Sequence, residues 1–241
     1  MAELKYRRIL LKLSGEALMG EQDYGIDSAL LRTIARHLKE VSDLGCQLAV
    51  VIGGGNIFRG VAGVKIGFSR VTGDHMGMLA TVINALALMS ALEAEGAEVR
   101  VQTAIEMHEV AEPFILRRAT QHLARGRIVI FGAGTGHPYF STDTAAALRA
   151  VEIDADALLM AKNKTDGVYD KDPNQHPDAK RFDSLDYQQL MELGVMDATA
   201  AALARAEELA IHVFDFAQPD NIKRIVTGER VGTVIGSNDD A

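Results

Sequence analysis

The sequence predicts an α/β protein built on a mostly parallel, doubly wound sheet, and three observations carry that prediction. Short apolar runs of strand length alternate with stretches of helix length along the whole chain, the signature of βαβ units. Three of those runs, at 8–13, 47–52 and 127–131, feed directly into glycine-bearing turns. No internal repeat or low-complexity tract breaks the alternation. In open sheets of this kind ligands bind outside the carboxyl ends of the strands, so the three turns are expected to converge on one crevice.

In chain order, strand 8–13 places Lys12 at its carboxyl end, ahead of Ser14, Gly15 and Glu16. A lysine inside an apolar strand needs an anionic partner. Asp27 or Ser28 opens a helix whose stripe is Leu30, Leu31, Ile34, Leu38 and Val41, and Gly45 stops it. Strand 47–52 runs into Gly53, Gly54 and Gly55. Two glycines suffice for the tightest hairpin and each added one costs entropy, so the third points to a close backbone contact. Residues 59–74 read as a mobile connection. A long helix is expected from Asp74 through Leu92, apolar nearly all round, which indicates burial or a subunit interface; Gly96 closes it.

A strand at 99–103 and a helix at 112–125, with Pro113 early in it, precede strand 127–131. The loop after that strand carries Gly132, Gly134 and Gly136. It ends at Ser141, Thr142 and Asp143, which are suited to cap a following helix at 145–151. Such a turn suits an anionic small molecule, although an ordinary strand-to-helix loop uses the same residues. Strand 156–160 leads to Lys162 and Lys164, and 170–181 is a polar surface excursion. Helices at 186–192 and 197–210, the second capped by Asp197, are followed by a strand at 211–216. Pro219 opens a short helix, and 232–235 closes the sheet.

Composition narrows the chemistry. The chain has 241 residues, 48% of them hydrophobic, with a net charge of −8 and 25 Lys+Arg in no basic run. A nucleic-acid partner is disfavoured, since phosphate-backbone binding needs a clustered positive face. The most apolar stretch, 80–92, is interrupted by Asn84 and Ser90 and falls short of the roughly 20 residues that span a bilayer, so no membrane partner is expected. The N-terminus shows no apolar signal region, which points to the cytoplasm. Cys46 starts an apolar strand and reads as a core cysteine. Seven histidines lack metal-ligand spacing, so no protein-held metal is inferred.

The common nucleotide and hydrolase fingerprints are missing: no GxxxxGK[ST], no GxGxxG after the first strand, no GxSxG. Ser14 has no histidine or acid placed by sequence to activate it. What remains is a set of cations and donors at strand ends: Lys12, the Gly53–Gly55 turn, Arg59, Lys162 and Lys164. Phosphoryl transfer asks for such a site, because catalysis there is mostly positioning and neutralisation of charge. Asp143 is placed to organise the lysines and Asp74 to accept hydroxyl protons from a sugar. Taken singly, Arg59 and Lys164 also read as solvated surface residues.

The runs KLSGEAL at 12–18, VVIGGGNIFRG at 50–60, GDHMGMLATVINAL at 73–86, GAGTGHPYFSTDTAAALRA at 132–150 and TDGVYDKDP at 165–173 resemble the motifs of the bacterial UMP kinases, a branch of the amino acid kinase family. The resemblance covers about residues 8 to 235. It implies a three-layer αβα sandwich around a largely parallel sheet, a single domain over 1–241 with a phosphate-acceptor half at about 1–150 and an ATP-binding half at about 151–241, and a homohexamer. The implied reaction moves the γ-phosphoryl of ATP to UMP, with Mg²⁺ accompanying the nucleotide and with GTP as activator and UTP as inhibitor.

Carried over by residue, the resemblance makes Lys12, Asp143, Lys162 and Arg59 catalytic. Gly54 would meet the UMP phosphate, Asp74 its ribose, and Thr135, Gly136, His137, Pro138, Tyr139, Phe140, Ser141 and Thr142 the rest of that nucleotide. Lys12, Leu13, Ser14, Gly15, Gly55 and Arg59 would lie along the ATP phosphates, and Asn163, Tyr169 and Asp172 would hold the adenine nucleotide. Many relatives read KATKVDGV where this chain reads KNKTDGV, which leaves open whether Lys162 or Lys164 reaches the phosphates. A sibling kinase for acetylglutamate or carbamate would share Lys12 and the glycine turn but lack GDHMGMLA. A non-catalytic nucleotide sensor would have no need of two phosphate-neutralising cations.

Overall fold

The computed structural model describes residues 3–58, 67–163, 165–218 and 220–236. Its central strand is β1 (Arg8–Leu13), which pairs in parallel with β2 (Gln47–Ile52) on one side and β6 (Ala157–Lys162) on the other. Beyond β2 lie β5 (Ile128–Gly132), β3 (Val99–Thr103) and the two-residue β4 (Glu112–Pro113). Beyond β6 lie β10 (Ile211–Asp215), β11 (Thr233–Ile235) and β9 (Ser184–Leu185). Among the described residues, the one antiparallel pairing in this sheet is β10 with β11. A separate two-stranded ribbon pairs β7 (Val168–Tyr169) with β8 (Arg181–Phe182).

Alternation along β1 divides the core. Ile9, Leu11 and Leu13 face a layer holding α1 (Ser28–Asp43), α2 (Arg70–Ala94) and α7 (Asn221–Val226). Leu10 faces the opposite layer, with α3 (Leu116–Ala124), α4 (Thr142–Glu152), α5 (Tyr187–Glu192) and α6 (Ala198–Ala206). The result is the expected three-layer αβα sandwich. Strands buried on both faces explain why the sequence shows continuous apolar runs rather than alternation. Each fully buried Leu or Ile removes enough apolar area from water to contribute about 1.5–3 kcal/mol.

Local chemistry sets the boundaries. The Asp27 carboxylate accepts from the backbone N–H groups of Ala29 and Leu30 and so starts α1. For α2 the cap is Ser69, which accepts from Thr72 N–H at 3.1 Å, so this helix begins one turn before the expected Asp74. At 25 residues it is long and apolar enough to cross a membrane by length and composition, contrary to the count over 80–92. One face of it packs in the protein interior: Ala85, Leu88 and Leu92 are buried in the main core, and buried Asn84 hydrogen-bonds to the polypeptide beneath it. Leu86 is partly buried against that core, and the most exposed apolar residues of the helix are Leu79 and Ile83.

The helix expected at 112–125 is a correction. Glu112 and Pro113 pair with the edge of β3, a position where the missing N–H of proline does no harm, and α3 starts only at Leu116. Helix α6 ends at Ala206 rather than 210, and Pro219 lies outside the described residues.

Candidate functional site

The carboxyl ends of β1, β2, β5 and β6 do converge. Gly53 N–H donates to Leu13 C=O at 2.9 Å, tying the turn after β2 to the end of β1. A Cβ added to Gly15 would collide with Asn56 Oδ1 and lie 2.7 Å from the Gly53 carbonyl oxygen. One added to Gly54 would lie 2.8 Å from both Ala80 Cβ and the Gly77 carbonyl oxygen of α2. The close contact expected of these glycines is therefore, for Gly15 and Gly54, one between segments of the chain itself.

The loop from β5 to α4 is fixed at both ends. At its start Ala133 N–H donates to Thr81 Oγ1 of α2, at 2.8 Å. Ala133, Gly134, Gly136 and Tyr139 all have positive φ, and for Ala133 and Tyr139 that conformation is costly unless the surroundings hold it. What holds Tyr139 is Asp74: its carboxylate accepts the Tyr139 N–H at 2.7 Å and the Arg70 guanidinium at 2.8 Å, while Arg70 also lies over the Tyr139 ring. At the far end Ser141 caps α4 by accepting from Asp143 and Thr144 N–H. Its hydroxyl donates to Asp197, which also accepts from Thr144 and caps α6. Burial alone raises the Asp197 carboxyl, but the hydrogen bonds from Ser141, Ala200, Thr144 and Thr199 outweigh it and hold the group below its ordinary value.

Between these loops sits a charge cluster. Lys12 Nζ lies 2.9 Å from Asp143 Oδ1, and both side chains are mostly shielded. Lys162, at the end of β6, donates to the Val195 carbonyl at 3.2 Å. Its pKa is lowered first by burial and then by the like charge of Lys12, with Asp143 partly opposing both. Two cations held around one carboxylate, one of them at a depressed pKa, form a site short of one negative charge.

Two clefts flank the cluster. The first, of about 280 Å³, brings together Gly54, Asp74, Thr135, His137, Phe140, Ser141 and Thr142 from the expected set, and also Gly55. Tyr139, Gly136 and Pro138 do not line it; Tyr139 enters through its backbone bond to Asp74. The second, of about 560 Å³, holds Tyr169 and Asp172 with Lys162 and Val195. Asn163 instead faces a third hollow beside Glu16 and Phe216, and the Leu13 side chain is fully buried, so it can offer only backbone. Ser14 caps a short 3₁₀ turn, Gly15–Leu18. Cys46 is buried with its thiol pushed up to about 12 by burial and by Asp156, which fits a core role. Arg59 and Lys164 lie outside the described residues. Among the described residues no group of three or more His, Cys, Asp or Glu is placed to hold a metal ion.

Sequence reasoning missed Arg70, Phe58, Thr81 and Thr165, all of which line one of the clefts. Arg70 was legible in principle, since it stands four residues before Asp74 and Ser69 is a good cap. Thr81 carried no local signal.

The amino acid kinase family model matches residues 7–215. A uridylate kinase from Xanthomonas oryzae pv. oryzae is 58% identical over 237 residues, 98% of each chain, and one from Limosilactobacillus reuteri is 54% identical over 98% of this chain and 99% of its own. Among solved structures, a UMP kinase from Bacillus anthracis superposes with a TM-score of 0.93 at 43% identity, covering 97% of both chains. One from Ureaplasma parvum gives 0.90 at 32% identity, covering 97% of this chain and 100% of its own.

Proposed function

The chain belongs to the amino acid kinase family, and we propose that within it this protein is an ATP:UMP phosphotransferase, which moves the γ-phosphoryl of ATP to UMP to give UDP for pyrimidine nucleotide biosynthesis. The observation that carries the reading on this chain is the Lys12–Asp143–Lys162 cluster, with one cleft on either side of it. UMP occupies the first cleft, its phosphate against Gly54 and the glycine turn, its ribose near Asp74 and its base within the loop from Thr135 to Thr142. ATP lies along Lys12, Leu13, Ser14, Gly15 and Gly55 toward the second cleft, where Tyr169 and Asp172 meet the nucleoside. Arg59 and Asn163 belong to the same proposal.

Little covalent chemistry is asked of the protein in phosphoryl transfer; it aligns attacking and leaving oxygens and neutralises spreading charge. Lys12 and Lys162 provide two fixed positive charges, and Asp143 keeps Lys12 from swinging away. Lys162 is destabilised as a cation until a phosphate arrives, so it interacts more strongly with the charged transferring group than with an empty site. Mg²⁺ accompanying the nucleotide would add positive charge to neutralise the phosphates, and Asp143 is the residue that would hold it, since the described residues include no carboxylate or histidine cage.

The reading extends to a cytoplasmic homohexamer activated by GTP and inhibited by UTP, without nucleic-acid or membrane partners, and to one domain over 1–241 with acceptor and ATP-binding halves. A coupled assay of ADP release with ATP and UMP, CMP or acetylglutamate tests it. A site that hydrogen-bonds one base edge rejects a competitor by as much as about 10⁴ in kcat/KM. UMP should be preferred strongly over CMP, with no turnover of acetylglutamate; turnover of acetylglutamate alone would overturn the reading.

A further inference from the structure

Asn56 and Asn84 form a closed amide pair beneath the two glycine turns. The Asn56 amide nitrogen donates to Asn84 Oδ1 at 3.0 Å and to the Gly25 carbonyl at 2.9 Å. The Asn84 nitrogen donates to Asn56 Oδ1 at 2.6 Å and to the Gly53 carbonyl at 2.7 Å. All four side-chain N–H groups and both side-chain oxygens are thus used. The Asn56 backbone carbonyl accepts from Gly25 N–H at 2.9 Å, closing the link to the segment that follows the Gly15 turn. Asn84 is fully buried, Asn56 is 1% exposed, and neither lines a cleft.

A buried polar pair in an apolar layer is retained at a cost, since an apolar pair would fill the space without desolvating amides. Its position supplies a reason. The Gly53 carbonyl it holds belongs to the turn that packs on Gly15, and Gly15 in turn has Asn56 Oδ1 close by, so one pair sets the spacing of both turns relative to α2. The same helix carries Asp74 and Thr81, which fix the β5–α4 loop.

We propose that Asn84, acting through Asn56 and the Gly53 carbonyl, is a positioning residue for phosphoryl transfer: it holds the Gly15 and Gly53–Gly55 turns at the separation the reaction requires, without touching either nucleotide. This rests on the functional reading above. The chemistry depends on near-attack geometry, and a displacement of about 1 Å originating away from the reacting atoms can cost roughly 10²-fold.

The test compares the parent with Asn84→Ala, and with Asn84→Ser should the first fail to fold. Steady-state kinetics with ATP and UMP are run beside amide hydrogen exchange of the peptide spanning 53–58. The expected result is kcat lower by about 10- to 100-fold, KM for both nucleotides within about threefold, and faster exchange at 53–58 while the β1 and β2 peptides stay protected. A folded variant with parental kcat would overturn the proposal, as would a loss seen only in stability. A parent that exchanges normally but never phosphorylates UMP would overturn the functional reading instead, and the exchange comparison alone would then decide whether the pair holds the turns.

Discussion

Lys12 Nζ lies 2.9 Å from Asp143 Oδ1, an ion pair that joins the end of the central strand to the first turn of α4. The partner required by a lysine in an apolar strand is therefore a residue 131 positions away, delivered by the loop that also walls the first cleft. Asp143→Asn should leave Lys12 without its anionic partner and lower kcat by at least about 10²-fold, and Lys12→Ala should do so by more, with the fold intact. Circular dichroism and steady-state kinetics on the two variants check this. Near-parental turnover by folded Lys12→Ala would remove the lysine from the mechanism.

Lys162 illustrates a conflict between stability and activity. Burial and Lys12 depress its pKa, so in the folded state the charged form is penalised wherever the group is protonated. The unfolded chain binds this proton more tightly, so the Lys162 contribution makes the protein more stable as pH rises through the folded pKa toward the ordinary lysine value. Lys162→Met removes the penalty while keeping the stem. It should melt at or above the parental temperature at pH 7 and have kcat lowered by orders of magnitude. Thermal melts and an activity assay on one preparation suffice.

His212 sets a second pH dependence, remote from the clefts. Its Nε2 contacts the Tyr6 hydroxyl at 3.0 Å, its Nδ1 is buried without a partner, and burial first, then Lys5, lower its pKa to about 4. Below the unfolded value near 6.5 the unfolded chain takes up a proton that the native state refuses. Stability should therefore fall between pH 6.5 and 4, by about 2 kcal/mol at pH 5. His212→Phe should flatten that part of the stability profile in denaturant titrations. An unchanged slope would place the acid sensitivity elsewhere.

On α2 the most exposed apolar residues are Leu79 and Ile83, 51% and 48% exposed. Paired across a two-fold axis, this face would be covered in the proposed oligomer. Ile83→Glu should lower the mass seen by light scattering with little loss of helix content. An unchanged mass would move the interface to another face.

Much of the fold was legible because strands such as 8–13 and 47–52 are buried on both faces and are bounded by glycine. The strand ends that carry the glycine turns and Lys12 were legible too, and the structure brings them together. Where the reading failed, the determinant was nonlocal. Pro113 resembled a helix start until the edge of β3 became its partner, and the start of α2 was placed at a functional-looking Asp74 although Ser69 supplies the cap. The two-residue strands β7, β8 and β9 are too short to carry a period. Asp197 was read as a helix cap, which it is, but its grip on Ser141 and Thr144 joins elements 53 and more residues apart and has no sequence signature.

The central claim is that the protein transfers a phosphoryl group from ATP to UMP, and ³¹P NMR of the two nucleotides with the protein and Mg²⁺ observes that transfer directly. The account predicts that ADP and UDP appear in equal amounts as ATP disappears, and that Lys12→Ala leaves the spectrum unchanged over the same period. ATP consumed to ADP and inorganic phosphate, or no consumption at all with folded protein, would contradict it.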